Sequence, residues 1–355
     1  MTLVERTREA GLDSTRSTAV KRATFTVLLL AALGVAIWLQ RATVADALSE
    51  IQRLSLLAIA ALLVLSAYER WSRANIVRRL LGEPIGIGSA VVIHDVGNAV
   101  SKGVPLGGAL GTALRWSICR ESGVTAPRFA SMLIAYGVAT TFASWILPLL
   151  ALLVDLTQRS PDRTDSLILV VIVVVVGGSA AFWTFALTSH RAASFATAST
   201  AWVWTRLGRR LPSLDGIDPA AGVAEVRSEL IEIGRSPWGL MVRTLLAQAC
   251  GSLILLTALR SLGVGDELGL TEFFRVFFIT HLLGTFAPTP GGVGVVEAGL
   301  TGALMAAGVE TTTALAGVLV YRLLTYVLPI VVGAILTLGW RAGWIRCGAR
   351  RAATL

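Results

Sequence analysis

The chain is poor in the residues on which most catalytic and metal centres rest. Of its 355 residues only three are cysteine and three histidine. Cys119, Cys250 and Cys347 lie far apart with no histidine beside them, which argues against a disulfide framework and against a zinc site. Charged residues make up 15% of the chain, against roughly 25% in soluble domains. There is no P-loop, no G-x-S-x-G elbow and no H-E-x-x-H helix. No cofactor and no metal is expected, and any transport must run downhill or on an ion gradient.

What is present is apolar. Hydrophobic residues are 54% of the chain and mean hydropathy is +0.72, the composition of a polytopic membrane protein. The net charge is +9. Its basic residues cluster beside apolar spans: Arg70, Arg73, Arg78 and Arg79, then Arg206, Arg209 and Arg210, then Arg346, Arg350 and Arg351. That is the positive-inside pattern, with an attraction to anionic lipid heads. Membrane lipids, and not nucleic acid, are the expected partners.

Six runs read as full spans: Ala23–Leu39, Leu54–Trp71, Phe129–Val154, Leu167–Leu187, Trp238–Leu259 and Thr312–Trp340. Each is near the ~20 residues that a bilayer needs, and the last is long enough to tilt or kink at Pro329. Ala45-Asp46-Ala47 resembles a leader cleavage site. The long polar arm ahead of the first run and the spans after it predict an uncleaved helix instead. Two further segments are short helix pairs. Ile85–Val100, about 24 Å long as a helix, is followed by Gly107–Glu121; Thr271–Ala287 is followed by Gly292–Gly308. Each pair turns on Gly and Pro.

Lys/Arg counts place both termini on the cytoplasmic side of the inner membrane. The first short pair then dips in from the cytoplasm and the second from outside. Pro105, Gly107, Gly123 and Tyr136 map onto Pro290, Gly292, Gly308 and Tyr321 at an offset of 185, and His94-x-x-Gly97 onto His281-x-x-Gly284 at 187. The expected architecture is an all-α membrane protein of about six full helices plus two re-entrant hairpins in two inverted repeats. The expected divisions are a basic arm (1–22), a first repeat (23–188), a cytoplasmic or interfacial linker (189–237), a second repeat (238–345) and a basic tail (346–355).

The densest signal is Thr289-Pro290-Gly291-Gly292-Val293-Gly294-Val295-Val296-Glu297. Pro removes a backbone donor and Gly permits positive φ, so this stretch is a tight turn and a helix restart. At bilayer depth such a turn must be buried in protein or line a cavity. The unpaired N–H groups and the dipole of the new helix favour an anion, which makes Gly291, Gly292 and Gly294 candidate phosphate ligands. Glu297, an ionisable group in an apolar helix, must face the interior. It either gates or carries a proton, or it partners an arginine or the turn's own amides. Arg322 pairs with Glu297, grips a phosphate, does each in different states, or snorkels to the interface. Around the equivalent turn, Pro105 to Gly107, stand Asn98, Lys102, Arg115 and Arg120. They read as a basic pocket for a lipid phosphate or as a charged cytoplasmic edge. His94 and Asp95, about 100° apart on a helix, are expected to cap or pack without forming a dyad. Glu69 and Arg70 are expected at the interface.

Pro288 to Gly299 resembles the signature of the lysylphosphatidylglycerol synthase transmembrane region family, flippase-like integral membrane proteins that include the membrane half of the multiple peptide resistance factor. Arg70-Trp71, the Pro/Gly turn before Arg115 and Arg120, and Tyr321-Arg322 with Pro329 match it too. The resemblance implies movement of an anionic or aminoacylated phospholipid, or of a polyprenyl-phosphate lipid, between leaflets. A separate lipid-modifying enzyme is a candidate further partner. The family's synthases carry a C-terminal aminoacyltransferase domain, and none follows the last span here, so lipid aminoacylation by this polypeptide is not expected. Two rival readings stand: sugar transfer from a polyprenyl-phosphate donor, with Glu297 or Asp266 as the carboxylate, and a non-transporting membrane scaffold.

Overall fold

The computed structural model describes residues 49–83, 85–103, 107–157, 163–189, 191, 194, 198, 219–265, 268–285, 292–345 and 347. The first expected span, both basic ends, much of the linker, Asp266, and the turn residues Pro105, Thr289, Pro290 and Gly291 lie outside these. Among the described residues every regular element is helical. In chain order they are α1 (Leu56–Leu81), α2 (Ile87–Gly103), α3 (Gly107–Glu121), α4 (Ala126–Asp155), α5 (Arg163–Thr188), α6 (Pro219–Gly234), α7 (Pro237–Ser261), α8 (Leu270–Thr285), α9 (Val295–Ala306), α10 (Thr311–Arg322) and α11 (Leu328–Arg341).

Four segments are long and apolar enough to cross a membrane: Ala126–Asp155, Ser166–Ala186, Pro237–Ser261 and Thr311–Arg341. The protein is therefore a multi-pass membrane protein. On α5, Val174 is 64% and Phe182 61% exposed, an apolar surface suited to lipid. The run expected to end at Trp71 continues instead to Leu81 and takes Glu69, Arg70 and Arg73 into mid-helix. Ser55 caps its start by accepting from the Ala58 N–H at 3.1 Å; Thr125 caps α4 and Glu310 caps α10 in the same way. The linker is partly helical too: α6 packs against α4, tied by an Arg128–Glu229 ion pair.

Lipid tails are as apolar as Leu, so helix association here rests on close packing more than on burial. Small residues supply it. A Cβ on Gly333 of α11 would lie 2.3 Å from the Asp95 carbonyl and 2.5 Å from the Ala99 Cβ on α2. Two apolar clusters form, one around Ile76, Ile93, Ile118 and Met132, the other around Leu255, Phe273, Phe277 and Leu304. The packing is reciprocal: α2 lies against α11, and α8 against α4. Arg275 of α8 faces Asp155 at the end of α4, 3.7 Å away.

The last span breaks near Pro329, as its sequence suggested, through a π-helical turn at Leu323–Val327. The Leu328 N–H donates to the Leu323 carbonyl. Pro329, with no N–H, then leaves the carbonyls of Leu324 and Thr325 without helical donors. The Ser66 hydroxyl of α1 donates to Leu324 at 3.3 Å, and Lys102 Nζ of α2 donates to Thr325 at 2.9 Å. The break in the last span is thus satisfied by side chains of α1 and α2.

A basic cavity between the helix pairs

Helix spacing brings polar side chains onto common faces. On α2, His94, Asn98 and Lys102 recur every fourth residue; on α4, Tyr136, Thr140 and Ser144 do the same. Both columns face a cavity of about 390 Å³, within the range of ligand sites. Glu69, Arg70 and Arg73 enter it from α1, Arg115 from α3, Gln248 from α7, Val296 from α9, and Arg322, Thr325 and Tyr326 from α10 and the turn after it. Phe277 of α8 adds an apolar wall. The lining therefore comes from both halves of the chain.

The charges in and behind this cavity are mostly paired, as low dielectric demands. Arg73 Nε donates to Glu69 Oε1 at 2.8 Å, an i,i+4 pair with the acid N-terminal. Arg70 donates to Asp95 Oδ2 at 2.5 Å. Asp95 is fully buried, and its other oxygen lies 2.9 Å from His94 Nδ1. Arg322 Nε donates to Glu297 Oε1 at 2.6 Å and lies over the Tyr326 ring, 4.4 Å from its centroid. Glu297 Oε2 accepts the Gly294 N–H at 2.7 Å. Positive φ at Gly292 (68°) and Gly294 (84°) turns the chain there, a conformation in which a Cβ would strain.

Arg115 is different. Among the described residues it makes no hydrogen bond or ion pair. Its side chain lies across Gly97, where a Cβ would come within 1.9 Å of Arg115 Nε. Lys102 is held by the Thr325 carbonyl, and its own carbonyl accepts from the Tyr326 hydroxyl at 3.0 Å. Lys102 has no carboxylate partner among the described residues. Among the described residues no cluster of three His, Cys, Asp or Glu side chains has the form of a metal site.

Of the residues singled out from sequence, Asn98, Lys102, Arg115 and Arg322 line the cavity, with Glu297 behind Arg322. Gly292 and Gly294 lie in the turn that opens α9, and Gly107 packs against α2, where a Cβ would lie 2.0 Å from the Val100 carbonyl. Arg120 is exposed and does not line the cavity; five residues beyond Arg115, it lies about 140° around α3. Glu69 and Arg70, read as interfacial, stand in the cavity because α1 does not end where its apolar run ends. His94 and Asp95, read as no dyad, are hydrogen-bonded to each other. Arg73, Tyr136, Gln248 and Tyr326 were not anticipated. The fourfold spacing of polar residues on α2 and α4 was the available signal.

Residues 24–333, most of the chain, match the family described as Lysylphosphatidylglycerol synthase TM region. No curated protein matches the chain.

Proposed function

We propose, for a chain that belongs to the lysylphosphatidylglycerol synthase transmembrane region family, that it moves an anionic phospholipid or polyprenyl-phosphate lipid between the leaflets of the cytoplasmic membrane. The carrying observation is the cavity itself: five cationic side chains, Arg70, Arg73, Lys102, Arg115 and Arg322, converge on one cavity in an apolar helical protein. Arginine forks and a lysine ammonium match phosphate oxygens, and the bilayer supplies phosphate head groups on both sides.

The two halves, 23–188 and 238–345, act as inverted repeats with the short pairs α2–α3 and α8–α9 as re-entrant hairpins, and both termini lie in the cytoplasm. The offset of 185 between the two turns and the reciprocal packing of α2 on α11 and α8 on α4 support this arrangement. The head group sits among Asn98, Lys102, Arg115 and Arg322. Glu297 gates: it holds Arg322 in the empty state and yields it to an arriving phosphate. Sugar transfer finds less support: Glu297 is engaged by Arg322 and by the Gly294 N–H, and Asp266 lies outside the described residues.

Proteoliposomes carrying acyl-labelled fluorescent phosphatidylglycerol or phosphatidic acid test this. Wild-type protein should expose the inner-leaflet pool to dithionite faster than empty liposomes, and Arg322→Ala should slow that loss. Wild-type kinetics equal to those of empty liposomes with both lipids would sink the translocation reading.

A further inference from the structure

From the charge balance of the cavity we infer that its preferred ligand is a phosphate group carrying two negative charges, a phosphomonoester or diphosphate head, rather than a phosphodiester or an aminoacylated head group. The inference rests on the lipid-handling reading above and names the substrate class of that same site.

Five cations face the cavity, and three of them are neutralised. Arg70 is held by Asp95, Arg73 by Glu69 and Arg322 by Glu297. Among the described residues two positive charges remain without a carboxylate partner, on Arg115 and Lys102. The undescribed turns that adjoin the lining helices in sequence, 104–106 and 286–291, contain no acidic residue that would cancel them. His94, bonded to Asp95, adds no compensating negative charge. Uncompensated charge in a low-dielectric space is costly, and the ligand that removes the cost is the one of equal and opposite charge. A phosphodiester head such as phosphatidylglycerol brings one negative charge and leaves one cation unmatched. A lysyl-phosphatidylglycerol head has net positive charge and adds to the excess.

The geometry agrees with the count. Arg115 is on α3 and Lys102 at the end of α2, so the excess charge comes from the first short pair. Arg115 lies over Gly97, which has no side chain to displace it, and its donors meet no acceptor among the described residues. Lys102 uses its ammonium on the Thr325 carbonyl and has further protons to offer. One extra charge-assisted contact corresponds to about a tenfold difference in affinity or more.

The test is calorimetric titration of the purified full chain in a non-ionic detergent at pH 7, where a phosphomonoester is mostly doubly ionised. The probes are dioctanoyl phosphatidic acid, dioctanoyl phosphatidylglycerol and its lysyl ester. Phosphatidic acid should bind about tenfold tighter than phosphatidylglycerol, with the lysyl ester weakest. Arg115→Gln and Lys102→Gln should each shrink that preference to about threefold or less, while Arg120→Gln keeps it. Phosphatidylglycerol or its lysyl ester binding as tightly as phosphatidic acid overturns the inference, and so does a wild-type preference in both cavity variants. Should Arg115→Gln fail to fold, the comparison of the three lipids on wild type and Lys102→Gln decides alone. Inorganic phosphate competing as well as the lipid would keep the double charge and move its source from lipid to solute. A preference for phosphatidic acid without translocation would defeat the transport reading and leave this one standing; translocation of phosphatidylglycerol without that preference would do the reverse.

Discussion

Arg322 and Glu297 are 25 residues apart and joined at 2.6 Å, while the second oxygen of Glu297 holds the Gly294 N–H that opens α9. The anion that a helix start attracts is thus supplied by the protein itself. On the proposed reading, a phosphate arriving at Arg322 has to compete with Glu297.

Glu297→Gln keeps an acceptor for Gly294 but removes the charge that restrains Arg322. Stability in detergent should fall by about 1.5–3 kcal/mol, the worth of a hydrogen bond to a charged group. Phosphate-lipid affinity should rise severalfold and dithionite-reported translocation should slow, because release becomes harder. An affinity unchanged from wild type would rule out this competition.

Gly97→Ala should act on Arg115 alone. The new methyl would sit 1.9 Å from Arg115 Nε and 2.4 Å from its Cγ, so the whole side chain has to take another rotamer; phosphate binding should weaken, with a smaller loss of stability than a backbone clash causes. Gly333→Ala meets backbone at 2.3 Å instead and should lower thermal stability by about 1–3 kcal/mol through overpacking. Melting and binding measured on both variants separate the two effects.

Lys102→Met should leave the Thr325 carbonyl without its donor, at about 1–3 kcal/mol. Pro329→Ala restores a backbone N–H one turn beyond Thr325. The double variant should therefore regain part of the loss, a coupling that a thermal double-mutant cycle reads directly. Strict additivity would show that the carbonyl is satisfied by another route.

Glu310 caps α10 from outside the span, and the hydrogen bonds from Thr312 and Thr313 pull its carboxyl down from 4.5 to about 2. A depressed acid stabilises the fold above its unfolded value and loses that contribution as pH falls through its folded one. The melting difference between wild type and Glu310→Ala should be constant above pH 4.5 and shrink towards pH 2. A difference that grows on acidification would contradict the cap.

Much of the site was written locally. The pairing of Glu297 with Arg322 and with the turn's amides stood among the readings of an ionisable group in an apolar helix, and the bounds Gly107–Glu121 are those observed for α3. Arg70 was not legible: charge after an apolar run looks interfacial when the contact that holds it, Asp95, lies on another helix. His94 and Asp95 diverge on an ideal helix, yet in a dry interior the carboxylate takes the nearest donor.

The sequence by itself determined that this chain lives in a membrane and that it is helical. Composition, run length and Gly/Pro placement act within a few residues, and water or lipid enforces them everywhere alike. Only the tertiary structure decided which charges meet. Arg73 and Glu69 share a helix face, but Arg70 with Asp95, Lys102 with Thr325 and the placement of Arg115 over Gly97 depend on how α1, α2, α3 and the broken last span pack. Desolvation makes those pairings obligatory once the helices come together.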